Sequence, residues 1–382
     1  MQVSNFVLLA LTGLLAACVP LALVWMATGA HKYRKLAWVI AFMTFDLIVF
    51  GGFTRLTDSG LGCPDWPGCY GEANPFLAHA HIAAAEALMP TGPVNQFKAW
   101  IEMIHRFLAM GIGVLIMALM ALSWLRWRRR RSPLYAPALP TILFLWVCVQ
   151  GAFGAWTVTL KLQPVIVTLH LLFGMTLLAL AVWFGAREDN LLQPPARPAP
   201  APVLRRLRPL AWLSGAMLLL QLALGGWVST NYATLACSDF PLCNGQIVPD
   251  MDFEHGFTLW RALGMTAAGH YLPFQALTAI HWVHRNFAAV VVLVLCFTAW
   301  RAWQLPGLQR LARALVVLVL AQALTGIATV FFSFPLVIAV LHNAGAAGLV
   351  LAVTMLNFKV QSQLDLALRR PHHAMPAPAS HP

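Results

Sequence analysis

Residues 50–71 read FGGFTRLTDSGLGCPDWPGCYG, and residues 224–245 read LGGWVSTNYATLACSDFPLCNG. Each stretch carries paired glycines and then a C-x5-C spacing, Cys63 with Cys69 and Cys237 with Cys243. Further blocks follow in the same order. EMIHR (102–106) matches HWVHR (281–285), QGAFGAWTV (150–158) matches QALTGIATV (322–330), and TLHLLFG (168–174) matches VLHNAGA (340–346). Gln150, Gly154 and His170 lie a constant 172 residues before Gln322, Gly326 and His342. Ordered self-similarity of this kind is the mark of an internal repeat.

The repeat is embedded in an apolar chain. Of 382 residues, 60% are hydrophobic and 10% charged, where a soluble domain carries about 25% charged residues. A soluble enzyme, a disordered chain and a nucleic-acid-binding protein are excluded, and the net charge of +12 does not reopen the last. Uncharged apolar stretches of about 20 residues mark nine expected spans: 5–28, 36–54, 101–124, 137–158, 165–186, 209–230, 281–300, 312–331 and 336–358. The first is not read as a signal peptide, because Lys32, Arg34 and Lys35 follow its apolar run instead of preceding it. Of the 25 Lys and Arg, 19 fall in 31–35, 126–131, 187–208, 301–313 and the C-terminal end from Lys359 on; Arg55, Lys98, Lys161 and Arg261 fall in the opposite connections. By the positive-inside bias the Arg-rich set is cytoplasmic and the N-terminus lies outside.

The fold expected is therefore an all-α polytopic membrane protein with two homologous four-helix bundles and one extra N-terminal span. Each half holds an even number of spans, so both share one orientation, related by a pseudo-two-fold axis along the membrane normal. The expected parts are the extra segment (1–30), an N-terminal bundle (31–192), a cytoplasmic Pro-rich linker (193–208), a C-terminal bundle (209–360) and a cytoplasmic tail (361–382). The linker contains QPPARPAPAP at 193–202, whose prolines stop a helix. Two long outer loops, 55–100 and 231–280, carry the cysteine pairs.

Four of the 13 histidines lie in spans and pair across the repeat: His105 with His284, and His170 with His342. A lone intramembrane histidine is usually a cross-helix hydrogen bond; two repeat-matched pairs argue for a functional site. All four sit within about two turns of the outer face. Within each half the two imidazoles come from neighbouring parallel helices at one depth, which suits bis-imidazole ligation of one haem iron per bundle. Zinc would want further ligands. Arg106 and Arg285 directly follow a ligand candidate and either pair with haem propionates or snorkel to the interface. Gln150 and Gln322 bond between helices or orient a ligand. Glu102 stands one helical turn before His105, where the second half has His281. A carboxylate there is either an interfacial, solvated Glu or a general acid/base beside the first site; the second reading makes the first bundle the reactive one.

The loop cysteines, in an oxidising compartment, either close as structural disulfides or exchange with an envelope thiol protein. Trp66 and Phe240, between the cysteines, could cover a hydrophobic ligand. Cys18, Cys148 and Cys296 read as small hydrophobes within spans. His79, His81, His255 and His270 read as surface residues, and His372, His373 and His381 belong to the tail.

Together the GGFTRLTDSGLGCPDWPGC and EMIHR blocks, the two C-x5-C loops and the four span histidines resemble the haem A synthase family over about residues 36–360. That family converts haem O to haem A for terminal oxidases, oxidising a methyl group to a formyl group by successive hydroxylations. The resemblance implies a substrate haem between His105 and His170 and a haem b cofactor between His284 and His342. It also implies an essential glutamate at Glu102 and disulfides Cys63–Cys69 and Cys237–Cys243. The membrane expected is a bacterial inner membrane, in which the Lys/Arg bias sets the Cys loops on the periplasmic side and the C-terminus in the cytoplasm. The partners implied are haem O and the lipid bilayer, with pathway logic adding the haem O synthase and terminal oxidase assembly. No nucleic acid is expected. No residue names the electron acceptor or the oxygen source, and a homo-oligomer stays open. Segment 5–28 lies outside the family pattern. Two other classes remain at this point: a dihaem b-type cytochrome that only moves electrons, and a transporter whose histidines relay protons.

Overall fold

A computed structural model describes residues 3–26, 32–132, 135–192 and 198–369. These residues form eleven helices: α1 Val3–Trp25, α2 Lys32–Leu56, α3 His79–Leu88, α4 Gln96–Arg130, α5 Ala138–Thr159, α6 Pro164–Leu192, α7 Ala201–Thr230, α8 Phe253–Gly256, α9 Phe274–Trp303, α10 Gln309–Phe331 and α11 Leu336–Arg369. All but α3 and α8 are long and apolar enough to cross a membrane, and they are the nine spans expected. The chain is an all-helical, multi-pass membrane protein. In hydrocarbon every backbone N–H and C=O must be satisfied within the segment, and among the described residues the only extended pairings are isolated bridges in the loops.

Several spans run longer than their apolar stretches. Helix α4 starts where Asn95 caps Lys98 N (2.8 Å) and continues to the run Arg128–Arg130. Helix α7 begins at Ala201, so the last eight residues of the expected 193–208 linker are helical; 193–197 lie outside the described residues. Pro209 sits in the third turn of α7, where it forfeits the bond back to the carbonyl of Arg205. Helix α11 runs on to Arg369, into what was expected to be tail; 370–382, with His372, His373 and His381, lie outside the described residues.

The eight helices after α1 form two closed rings. In the first, α2 packs on α4, α4 on α5, α5 on α6, and α6 back on α2; in the second, α7 packs on α9, α9 on α10, α10 on α11, and α11 on α7. The rings meet where α6 packs on α7 and α11 lies against both α2 and α6. One continuous apolar core runs through both, from Ile40, Ile112 and Leu178 to Leu295, Leu315 and Val353. Polar contacts join the halves at the loop end: Arg55 Nη2 donates to Ser229 O (2.7 Å), and Tyr232 Oη donates to Asp58 Oδ1 (2.8 Å). Burial holds the Tyr232 phenol above its ordinary range, against the pull of Arg55, so it stays a donor.

The paired glycines divide their work between the rings. Gly51 and Gly225 face histidines of their own half, His105 and His284. Gly52 and Gly226 face the other half: a Cβ on Gly52 would lie 3.2 Å from Asn343 Cγ, and one on Gly226 3.0 Å from Leu171 Cδ2. A side chain at any of these positions would hold two helices apart.

Helix α1 lies outside the first ring against α4, with a lesser contact on α2. The α1–α4 contact is close because small residues alternate across it. The Cβ of Met110 is 3.0 Å from the place a Cβ would take on Gly13, and that of Ala16 is 3.0 Å from the same place on Gly111. Asn5 Nδ2 donates to Gly71 O and Glu72 Oε2, both at 3.0 Å, fastening α1 to the first disulfide loop. Gly111→Leu is expected to force α1 off α4 and destabilise the protein by about 1–3 kcal/mol, read as a lower midpoint in thermal or denaturant unfolding in detergent.

Candidate functional site

Each ring places its two histidines on diagonally opposite helices. His105 is on α4 and His170 on α6, and among the described residues these helices share no close backbone packing, meeting through the Arg126–Glu188 ion pair (2.8 Å) near the arginine-rich end; His284 on α9 and His342 on α11 likewise share no close backbone packing. The expectation of neighbouring helices is thus corrected. Parallel helices in an up-and-down ring are diagonal, so the rings span the bundle axis. His105 lies within electrostatic reach of His170, and His284 of His342.

Each imidazole lies flush against a helix that has surrendered its Cβ. A Cβ on Gly51 would lie 2.9 Å from His105 Nε2, and one on Gly154 3.2 Å from His170 Cε1. Gly225 stands 2.9 Å from His284 Cε1 by the same measure, and Gly326 3.0 Å from His342 Cε1. The glycines and histidines of the repeat blocks are therefore one device, which makes room for a ring at the bundle centre.

The two pairs are held differently. His284 Nδ1 is 3.0 Å from Gln221 Nε2, and His342 Nδ1 is 3.0 Å from Thr325 Oγ1, with Gln322 Nε2 3.3 Å from its other nitrogen. In the first ring, Gln150 Nε2 donates to His170 O (3.0 Å) and approaches His170 Nε2 only to 3.5 Å. His170 Nδ1 is buried without a partner, and among the described residues no hydrogen bond reaches the His105 ring. Both pairs fit a haem iron. Each offers two imidazoles across a bundle axis, and among the described residues no group of three or more His, Cys, Asp or Glu gathers to hold a bare metal ion.

The disulfide loops close over the ends of the bundles. Cys63–Cys69 and Cys237–Cys243 are both formed, with Cα–Cα separations of 4.9 and 4.6 Å. Both loops are built alike. The Asp65 carboxylate accepts from the amides of Tyr70 and Gly71, and that of Asp239 from Asn244 and Gly245. Trp66 and Phe240 at their tips are exposed.

Glu102 and His281 perform the same structural task. Glu102 Oε2 accepts from Cys63 N at 2.8 Å, and His281 Nδ1 from Cys237 N at 3.3 Å. Only Glu102 adds a charge, and it is 4% exposed. Arg106 Nη2 donates to Glu102 Oε1, while Nη1 donates to the carbonyls of Asp65 (2.9 Å) and Gly68 (2.5 Å). Both terminal nitrogens of Arg106 are thus engaged. Arg285 Nη2 binds the equivalent loop through Asp239 O and Leu242 O, but its Nη1 is buried with no partner.

Comparison with known proteins identifies the family. Residues 34–354 match the COX15-CtaA family, described as cytochrome oxidase assembly protein. The chain belongs to that family. Three relatives named heme A synthase are similar over most of their length. That of Shewanella oneidensis is 36% identical over 327 residues, covering 85% of this chain and 96% of its own. Those of Sphingopyxis alaskensis and Erythrobacter litoralis are 32% and 30% identical, covering 83% and 82% of this chain and 88% and 93% of theirs.

Within this COX15-CtaA chain, reasoning from the repeat missed Gln221 and Thr325, because Leu47 and Phe153 occupy the matching positions. A signal for Gln221 existed: it stands one helical turn before Gly225, on the same face. His79 and His81 are exposed on α3, and His255 pairs with Asp252 at 2.6 Å. Cys18 and Cys148 are exposed and Cys296 is half-buried, all as free thiols.

Because Glu102 and Arg106 are both buried, removing one strands the other. Glu102→Ala is expected to cost about 3–5 kcal/mol. Glu102→Gln, which keeps an acceptor for Cys63 N, costs less, and Glu102→Ala/Arg106→Met recovers most of the loss; unfolding midpoints of the three variants check the order.

Proposed function

We propose that the chain is a haem A synthase, which oxidises a methyl group of haem O to a formyl group, and that its two rings hold different haems. His105 and His170 take the substrate; His284 and His342 hold haem b. The observation that carries this division is the unequal anchoring of the rings. Hydrogen bonds from Gln221 and Thr325 to the Nδ1 atoms of His284 and His342 orient the second pair in advance and leave each Nε2 to face an iron, as suits a resident cofactor. In the first pair no hydrogen bond among the described residues reaches either Nδ1, which suits a porphyrin that must enter and leave.

The residues divide the chemistry accordingly. Haem b, when bound, supplies one-electron redox chemistry. Glu102 lies one turn from His105 and takes protons released as the methyl group is oxidised. Each carboxylate oxygen keeps a lone pair beyond the bond from Cys63 N or Arg106, and Arg106 balances the carboxylate charge. His281, at the matching position, serves only its loop. Arg285, with Nη1 unpartnered, is assigned a propionate; Arg106 is committed to Glu102 and the loop. The disulfides are read as structural clamps, since each closed loop is the one that Glu102 or His281 binds.

The residue ranges of the two rings, α2–α6 and α7–α11, are taken as the two domains, with a pseudo-two-fold relation supported by reciprocal packing of α6 on α7 and α11 on α2. The arginine-rich ends are placed in the cytoplasm and the disulfide loops in the periplasm of a bacterial inner membrane, supported by the Lys/Arg bias. Partnership with the enzyme that makes haem O and with terminal oxidase assembly follows from the substrate and product alone.

Acid extraction of pigment from the purified chain is expected to yield haem b together with haem O, a hydroxylated haem or haem A. Haem b alone at both sites would indicate a plain cytochrome. Glu102→Gln is expected to retain both haems and to lower haem A formation by roughly 100-fold or more, measured by chromatography of extracted haems; unchanged product would remove Glu102 from the chemistry.

A further inference from the structure

We propose that the isoprenoid tail of the substrate leaves the first ring sideways, between α4 and α5, through a notch formed by Gly113 and Gly151. The inference rests on the reading that His105 and His170 hold the substrate porphyrin, and it names the part of the site that takes the tail.

The ring has four seams, and three are closed. The α2–α6 seam is covered by the second ring, through α7 on α6 and α11 on both. The α2–α4 seam is covered by α1, which packs on both helices. The α5–α6 seam faces lipid but is filled with aromatics beside His170. Trp146 Nε1 donates to Phe173 O (2.9 Å), and the Phe173 ring meets Trp146 and Phe153 edge-on at 5.3 and 4.6 Å.

The remaining seam, α4–α5, is pinned near its arginine-rich end, where Trp124 Nε1 donates to Thr141 Oγ1 at 3.1 Å. Following the antiparallel helices away from that pair by equal lengths brings Gly151 level with Val114 and Gly113 level with Ala152. At this one level both helices carry glycine, and a Cβ built on either would meet nothing within 4 Å. Most other spanning glycines, such as Gly111 two residues away, press on a neighbouring atom. These two face open space. Around α4, Gly113 lies within about 20° of Trp124, which faces α5; around α5, Gly151 is turned about 80° from Thr141, which faces α4.

Two further observations tie the notch to a bound ligand. His170 Nδ1 is buried without a partner in the first ring, whereas the matching His342 Nδ1 is held by Thr325, and such a group calls for something the chain itself does not supply. The second ring also lacks the notch: the repeat sets Val292 where the first ring has Gly113, and Ala323 where it has Gly151. A tailless haem in the second ring needs no such exit. Gly113 lies eight residues beyond His105 along α4, about 12 Å deeper into the bilayer, so a tail passing it would rest among lipid chains.

The test uses the full purified chain with haem b already in its second ring, titrated separately with haem O and with haem b and followed by absorbance. Gly113→Leu/Gly151→Leu is expected to raise the apparent Kd for haem O about tenfold, the effect of displacing about two buried methylenes. The Kd for tailless haem b at the first ring is expected to stay unchanged. An unchanged Kd for haem O, or equal weakening of both haems, would overturn the tail route. Uptake by the parent chain that ignores His105→Ala would instead overturn the assignment of the porphyrin site. Resident haem b absorbance reports folding; if the double leucine variant loses it, Gly113→Ala/Gly151→Ala is titrated in its place, with the same ordering of the two haems expected.

Discussion

An aromatic ring can reach the axis of a four-helix bundle only where a neighbouring helix yields its side chain. That constraint organises both halves of this protein. Gly51, Gly154, Gly225 and Gly326 each lie against one of the four span histidines, and each histidine approaches from the helix diagonal to its partner's. The geometry leaves the bundle centre to two opposed imidazoles. It also limits what the remaining surfaces can do, because the second glycine of each pair is used to bring the halves together.

The same scaffold is tuned in two ways. In the second half, hydrogen bonds from two side chains to the Nδ1 atoms fix the imidazoles before anything binds, and Arg285 keeps a buried nitrogen in reserve. In the first half the rings are less constrained, and polar interactions concentrate on a buried ion pair, Glu102 with Arg106, that latches the loop carrying Cys63. Rigid pre-orientation favours retention. A looser pair beside a charged group favours exchange and chemistry.

Much of this was legible in the residues. All nine spans came from apolar runs, because hydrocarbon leaves a helix no alternative to a long uncharged stretch. Their ends were less legible: α4, α7 and α11 continue into arginine-bearing turns that hydropathy cannot count. The four histidines and both cysteine pairs stood out through the repeat, whereas Gln221 and Thr325 were invisible to it because they break the symmetry. The diagonal placement was also missed, since sequence order gives helix direction but not position around a ring. Arg106 looked the same as Arg285 on paper; only contacts separate a saturated guanidinium from one with a nitrogen to spare.

The way the two rings meet carries a consequence for ancestry. Helix α6 seats on α7 while α11 seats on α2, and these are matching helices exchanged between halves. A one-bundle chain bearing the same surfaces would pair with a second copy of itself as an isologous dimer. Fusion of two such copies would then free each to drift, one gaining the anchors of a permanent tenant and the other keeping a doorway for a visitor.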